Sequence, residues 1–287
     1  MATQLPDPIK IFVKRAGNVR IHTFISAYTD NNIANATHII ENKNTLVLID
    51  SQFLATYATQ FRAYADSLGK PIERLYLSHR HPDHWFGLGT AFSDVPIYAL
   101  QETQDFIAQN GEVSREDHVP ILGSEAPSKI VVPQNVVAPG EETIDGLTYV
   151  FTKVVDTEID YLLTIQLPQI GVYVAQDLIY SGTHLYLTKN FDHWISILQN
   201  MLISDYDLFL PGHGLPADKN EIARNIEYLA AAKEASASAL PTDANEASTN
   251  PSKYDFKTYL LNRYPERLCP GIFNTYLPRL FDGAPDF

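Results

Sequence analysis

Alternation of apolar and polar positions marks the first elements. Ile9 to Lys14 and Val19 to Ser26 read as strands joined at Gly17-Asn18, a dipeptide suited to a hairpin turn. Ala27 to Ala36, rich in Asn, Asp and Thr, reads as a loop. Thr37 to Glu41 and Thr45 to Asp50 form a second strand pair around a polar Asn42-Lys43-Asn44 turn. From Phe53 the period changes: Phe53, Leu54, Tyr57, Phe61, Tyr64 and Leu68 recur at helical spacing, and Gly69 and Pro71 end the run. A strand from Ile72 to Ser78 follows, then a short helix over Trp85 to Phe92, a strand at Pro96 to Leu100 and a helix over Gln101 to Gln109.

Asn110 to Ser128 contains Gly111, Pro120, Gly123 and Pro127 and reads as a long irregular connection. Strand patterns resume at Ile130 to Val132, Asn135 to Ala138, Leu147 to Val155, Tyr161 to Leu167 and Val172 to Ala175, the last running to Asp177. Asp192 to Ile203 is helical, Asp207 to Leu210 a last strand, and Ala217 to Ala239 a long helix. Residues 235–251 read as a mobile connector rich in Ala, Ser, Thr and Asn, followed by a helix over Tyr254 to Tyr264. The expected organisation is one α/β layered domain over 1–234, the connector, and a helical tail over 252–287 packed on the same domain.

Composition narrows the class. Hydrophobic residues at 45% of the 287-residue chain support a packed core. A net charge of -13 is a poor match for a phosphate backbone, so a small molecule rather than nucleic acid is the expected partner. Cys269 is the sole cysteine, which excludes an intrachain disulfide. Met1 to Pro8 carry no apolar signal core, and no stretch approaches the ~20 apolar residues of a membrane span. The expectation is a cytoplasmic protein without a membrane contact.

The densest chemistry lies in Ser78-His79-Arg80-His81-Pro82-Asp83-His84-Trp85-Phe86-Gly87. His79, His81, Asp83 and His84 are four strong metal ligands at a strand end, where open α/β sheets hold their sites. Pro82 prevents the strand from continuing and puts them on a loop. Imidazoles with a carboxylate suit zinc, and less exclusively iron or manganese. Asp177 at a strand end and His213 in Pro211-Gly212-His213-Gly214, between a strand and a helix, are further candidates.

This H-x-H-x-D-H run, with Asp177 and His213, resembles the signature of the metallo-β-lactamase superfamily over about Ile9 to Leu229. The resemblance implies an αββα sandwich and a hydrolase in which a hydroxide bridges two zinc ions, with iron or manganese as alternatives. Typical members carry a histidine well before the bridging carboxylate; here Val154 to Asp160 has none. Its Asp-Thr-Glu run looks like the alkylsulfatase branch, where a glutamate takes that place, so Glu158 is the expected ligand and Asp156 the alternative. The implied sets are His79, His81 and Glu158 on one metal, Asp83, His84 and His213 on the other, and Asp177 between them. Asp83 is also the expected proton carrier.

Asp50 ends a strand; the resemblance implies an outer support for the histidines there, and a simple strand-end or helix-capping residue is the equal alternative. His184, Tyr180 and His118 are substrate-contact candidates, with Tyr186 as a further hydroxyl donor; for His118 the surface-connection reading is preferred, and for the tyrosines packing is the commoner role. His22, His38 and His193 read as packed or surface residues. The resemblance leaves lactone, ester, amide, β-lactam, thioester, sulfate and phosphate substrates open, with Ala27 to Ala36 and Asn110 to Ser128 as the segments that would choose. An iron-dependent redox enzyme on the same fold and a non-catalytic metal-binding protein are the alternatives.

Overall fold

The computed structural model describes residues 9–27, 33–239 and 251–283, with the side chains of 238, 239 and 251–254 outside the description. Strands β1 (Lys10–Ala16), β2 (Val19–Ile25), β3 (Ala36–Glu41) and β4 (Leu46–Ile49) form an antiparallel meander. Helix α1 (Ala55–Ser67) then crosses over to β5 (Ile72–Tyr76), which lies parallel to β4, and β6 (Ile97–Ala99) and β7 (Asn135–Val136) extend the parallel side of this seven-stranded sheet. The second sheet has five strands in the order β12, β11, β10, β9, β8, built from β8 (Gly140–Ile144), β9 (Leu147–Val155), β10 (Tyr161–Leu167), β11 (Val172–Ser181) and β12 (Leu208–Gly214).

Side-chain alternation along the central strands builds three apolar layers. Val47, Ile49 and Tyr76 turn toward the second sheet and meet Phe151, Leu163, Val174 and Leu210. Their neighbours Leu46, Leu48 and Leu75 turn outward onto Ala58, Phe61 and Ala65 of α1. On the far face, Leu162, Ala175 and Phe209 pack under α4 (Phe191–Leu202), α5 (Lys219–Ala239), α6 (Pro251–Arg263) and α7 (Phe273–Asp282), through Trp194, Leu198, Leu229, Phe256, Leu260 and Phe273. The result is the expected αββα layering.

Several elements differ from the expectation. Asn110 to Leu122 is helix rather than irregular chain, because α3 runs from Gln101–Leu122 with Pro120 in its last turn. Gly111 serves close packing there: a Cβ would come 2.8 Å from Ile130 Cγ2. Ile130 to Val132 is not a strand, whereas the exposed acidic stretch of β8 is one. β11 runs on to Ser181, carrying Asp177 mid-strand at a register shift where Gln176 has φ of 47°. Residues 235–239 of the expected connector continue α5; residues 240–250, and 28–32 of the expected loop, lie outside the described residues. Among the described residues no helix is long and apolar enough to cross a membrane.

Candidate metal centre

His79 and His81 leave the C-terminal end of β5 on a loop that Pro82 turns into the one-turn helix α2 (Pro82–Trp85), which carries Asp83 and His84. Trp85 Nε1 closes this loop by donating to the Arg80 carbonyl at 2.8 Å. The turn between β9 and β10 supplies Glu158, with Arg80 Nη2 donating to Asp160 Oδ2 and Thr188 Oγ1 to the Thr157 carbonyl. Asp177 comes from β11 and His213 from the parallel neighbour β12.

These seven side chains form two groups of donor atoms: His79, His81, Glu158 and Asp177 in one, Asp83, His84 and His213 in the other. Asp177 Oδ2 lies at their junction, 3.7 Å from His79 Nε2, 3.4 Å from His84 Nε2 and 3.2 Å from His213 Nε2. His81 Nδ1 is 3.0 Å from His79 Nε2 and 3.1 Å from Glu158 Oε1. Asp83 Oδ2 stands 3.3 Å from His84 Nε2 and 3.4 Å from His213 Nε2.

Outer partners orient the rings. Asp50 Oδ2 accepts from His84 Nδ1 at 2.8 Å and from the Ser78 hydroxyl at 2.7 Å, and also from the Gln176 amide. Ser78 Oγ in turn lies 2.9 Å from His79 Nδ1, and the Ile33 carbonyl accepts from His213 Nδ1 at 2.7 Å. With the outward nitrogens protonated, the Nε2 lone pairs of His79, His84 and His213 face inward, as metal ligation requires.

The electrostatics fit a cation. Four buried or nearly buried carboxylates, of Asp50, Asp83, Glu158 and Asp177, surround the imidazoles. Burial pushes His84 down, but Asp83, Asp177 and Asp50 outweigh it and hold its imidazolium well above the usual range. Burial raises the Asp177 carboxyl, yet His84, His213 and His79 hold it well below the usual range. Protons on imidazole and a metal cation are alternative ways to balance this carboxylate charge. Asp177 Oδ1 is buried without a hydrogen-bond partner, and Gly212 leaves the room it occupies: a Cβ there would lie 1.8 Å from that oxygen. The donor set therefore fits divalent metal.

The architecture has counterparts among solved structures. A metallo-β-lactamase from Pontibacter korlensis superposes with a TM-score of 0.60 at 16% identity, covering 78% of this chain and 99% of that one. FIM-1 from Pseudomonas aeruginosa, in its mono-zinc form, gives 0.61 at 15% identity over 81% and 99%. The chain has the metallo-β-lactamase fold. A metallo-β-lactamase from Hirschia baltica gives 0.59 at 20% identity over 78% and 98%. In sequence, 114 residues are 30% identical to the uncharacterized protein YobT of Bacillus subtilis (strain 168), spanning 38% of this chain and 48% of that protein. No family model matches the chain.

Within the metallo-β-lactamase fold, the structure brings His79, His81, Asp83, His84, Glu158, Asp177 and His213 together and sets Asp50 behind them. Tyr180 adjoins the cluster as well: its hydroxyl donates to Asp177 Oδ2 at 3.1 Å and its ring stacks on His213 at 4.9 Å. It is fully buried and held as a partner of Asp177, which leaves substrate contact a poor description of it. His184 lies elsewhere, with Nδ1 2.9 Å from the Tyr228 hydroxyl and its ring against Phe273. His118 donates to its own helix at Ser114 and packs edge-on to Phe53 and Phe86. Asp156 takes a positive φ of 52° in the tight turn and has no place in either donor group. Ser78 and Gln176 were not singled out by sequence, since hydroxyl and amide residues next to ligands carry no pattern of their own. His38 is packed, as expected, and also donates to the Pro211 carbonyl at 2.9 Å, fixing the end of β12 that bears His213.

Proposed function

We propose that this chain is a metal-dependent hydrolase with two zinc ions, acting on a small molecule with an electrophilic carbonyl, sulfur or phosphorus centre. The observation that carries the reading is the convergence of seven donors, from four separate segments, on the two sides of Asp177 Oδ2. On this reading His79, His81 and Glu158 hold one ion, Asp83, His84 and His213 the other, and Asp177 serves both. Bound metal supplies Lewis-acid polarisation of a substrate oxygen and water made acidic enough to give hydroxide near neutral pH.

The chain's own groups do the remaining work. Asp83 has the most exposed side chain of the set at 16%, and His84 and His213 hold its carboxyl ionised against the effect of burial. On this reading Asp83 takes a proton from attacking water and returns it to the leaving group. Asn35 Nδ2 donates to Asp83 Oδ2 at 3.3 Å and steadies that oxygen. Tyr180 and Asp50 keep Asp177 and His84 in position, which preserves the inward lone pairs. Three carboxylates among the seven ligands make the centre more negative than a histidine-dominated one and leave iron or manganese within reach of the donor set.

The test is metal content by mass spectrometry for wild type and Glu158→Ala in parallel. About two zinc ions per chain in wild type and a loss of about one in the variant are expected. Two ions retained by Glu158→Ala would remove Glu158 from the ligand set, and no metal after reconstitution would overturn the hydrolase reading.

A further inference from the structure

Strand β11 outlasts one of its neighbours. Its pairing with β10 ends at Val174, whereas the strand runs on to Ser181 beside β12, so its last residues need partners of another kind on the open side. At Tyr180, which pairs with His213 of β12, those partners come from outside both sheets. The Tyr180 N–H donates to Asn225 Oδ1 at 2.9 Å, and the Tyr180 carbonyl accepts from Asn225 Nδ2 at 2.9 Å. One side-chain amide of α5 thus takes the place of a neighbouring strand.

Asn225 is itself held. It is fully buried, and Nδ2 also donates to the Glu221 carbonyl one turn back at 2.9 Å. Glu221 Oε1 accepts from the Gly182 N–H at 3.3 Å and from Arg267 Nη2 at 3.2 Å. Arg267, in the segment after α6, donates from Nη1 to the Thr183 carbonyl at 2.7 Å and to the Tyr180 carbonyl at 3.4 Å. Its guanidinium lies over the Tyr228 ring of α5 at 5.2 Å. Next to it, the Leu268 N–H donates to the Gly182 carbonyl and the Leu268 carbonyl accepts from the His184 N–H, both at 2.9 Å. Residues 180–184 are therefore clamped between β12, α5 and the segment that follows α6. Asparagine is a poor helix former, and a buried ion pair adds little over apolar packing, so stability alone does not account for Asn225 or for the Arg267–Glu221 pair.

The side chain that this clamp presents is Tyr180, whose hydroxyl donates to Asp177 Oδ2 at 3.1 Å and whose ring stacks on His213. A hydrogen bond weakens steeply with misalignment, so the hydroxyl stays on Asp177 only while the Tyr180 main chain is fixed. We propose that Asn225 and Arg267 are positioning residues of the metal centre, which fix that main chain so that the Tyr180 hydroxyl orients Asp177. This role rests on the metal-dependent reading, and it makes α5 and the segment around Arg267 supports of a centre to which neither Asn225 nor Arg267 gives a donor atom.

The test is zinc affinity, by competition with a chromophoric chelator, beside urea denaturation of the same proteins. Asn225→Ala and Tyr180→Phe are each expected to weaken zinc about 10-fold. The double variant is expected to lose about 10-fold rather than about 100-fold, because both changes break the same link. Arg267→Met weakens zinc as well, and Arg267→Lys, which keeps a cation for Glu221, recovers part of the loss. Glu41→Gln, far from the centre, lowers the urea midpoint and leaves zinc affinity at the wild-type value. Asn225→Ala behaving like Glu41→Gln would overturn the positioning role and leave the metal reading standing. A double variant weakened about 100-fold would also overturn it, since Asn225 would then act by a route other than the Tyr180 hydroxyl. Wild type that binds no zinc would overturn both. If Asn225→Ala does not fold, Arg267→Lys takes its place in the same cycle, and wild-type zinc affinity there is the overturning result.

Discussion

A methyl group at position 212 would lie 1.8 Å from Asp177 Oδ1, far inside contact distance for unbonded atoms, and 3.1 Å from His84 Cε1. The same carboxylate is held from the other side by the Tyr180 hydroxyl and stands within 3.4 Å of His84 and His213 nitrogens, so it has no direction in which to yield without leaving the site. Gly212→Ala should therefore keep the fold and lose metal. Expected is zinc affinity weaker by more than about 10-fold, with the far-ultraviolet circular dichroism of wild type. Unchanged affinity would mean that Asp177 is not where metal binds. The residue scale also shows how much of the centre was readable. Four candidate ligands fall within Ser78 to Gly87, because one loop can present several donors to neighbouring positions. Asp177 and His213 are sparse in sequence, and what joins them is the parallel register of β11 and β12, where Tyr180 pairs with His213.

At the scale of elements, the largest departure from the sequence pattern is Asn110 to Leu122, the second half of α3. Gly111 and Pro120 look like turn residues, but a glycine is equally required where a helix passes close to another chain segment, and a proline in the last turn leaves most of the helix ladder intact. Nothing local distinguishes these uses, since the contact with Ile130 and Trp85 is long-range. The two uses predict opposite signs. At an uncrowded helical position Gly→Ala stabilises by about 1 kcal/mol. Here the new Cβ meets the stiff β-branched side chain of Ile130 at 2.8 Å, and overpacking costs about 1–3 kcal/mol. Gly111→Ala should thus lower the urea midpoint, while Asn110→Ala on the exposed side leaves it unchanged or raises it. A stabilised Gly111→Ala would show that Ile130 yields freely. The strands were read more reliably where period-two alternation is strong, as in β2, β9 and β10; β8 was missed because its exposed Gly-Glu-Glu run carries no alternation.

For the whole molecule, charge buried outside the metal centre sets part of its response to acid. Glu41 on β3 is 1% exposed and accepts from Arg20 and His22 on β2 and from Lys70 at 2.8 Å, the loop residue that follows α1. Tyr64 of α1 joins through His22 Nδ1 at 2.7 Å, so the cluster ties helix to sheet at the end of the meander. Burial raises the Glu41 carboxyl, but the hydrogen bonds from Arg20, Lys70 and His22 outweigh it and bring it down to about 2 from 4.5. A carboxylate with a depressed folded value contributes stability that is fully present above its unfolded value and is lost as pH falls toward the folded one. The window is therefore about pH 5 down to about pH 2. Burial keeps His22 below its ordinary value, so it stays neutral at pH 7 and donates its Nε2 proton to Glu41. Glu41→Gln should cost roughly 2 kcal/mol at pH 7, by leaving charge-assisted bonds unmade. The gap between wild type and variant should then shrink steadily through that acid window, in urea denaturation at successive pH values. Because any metal loss on acidification occurs in both proteins, the difference between the curves isolates Glu41. A gap that stays constant from neutral pH to below pH 3 would show that Glu41 gains nothing from its three partners.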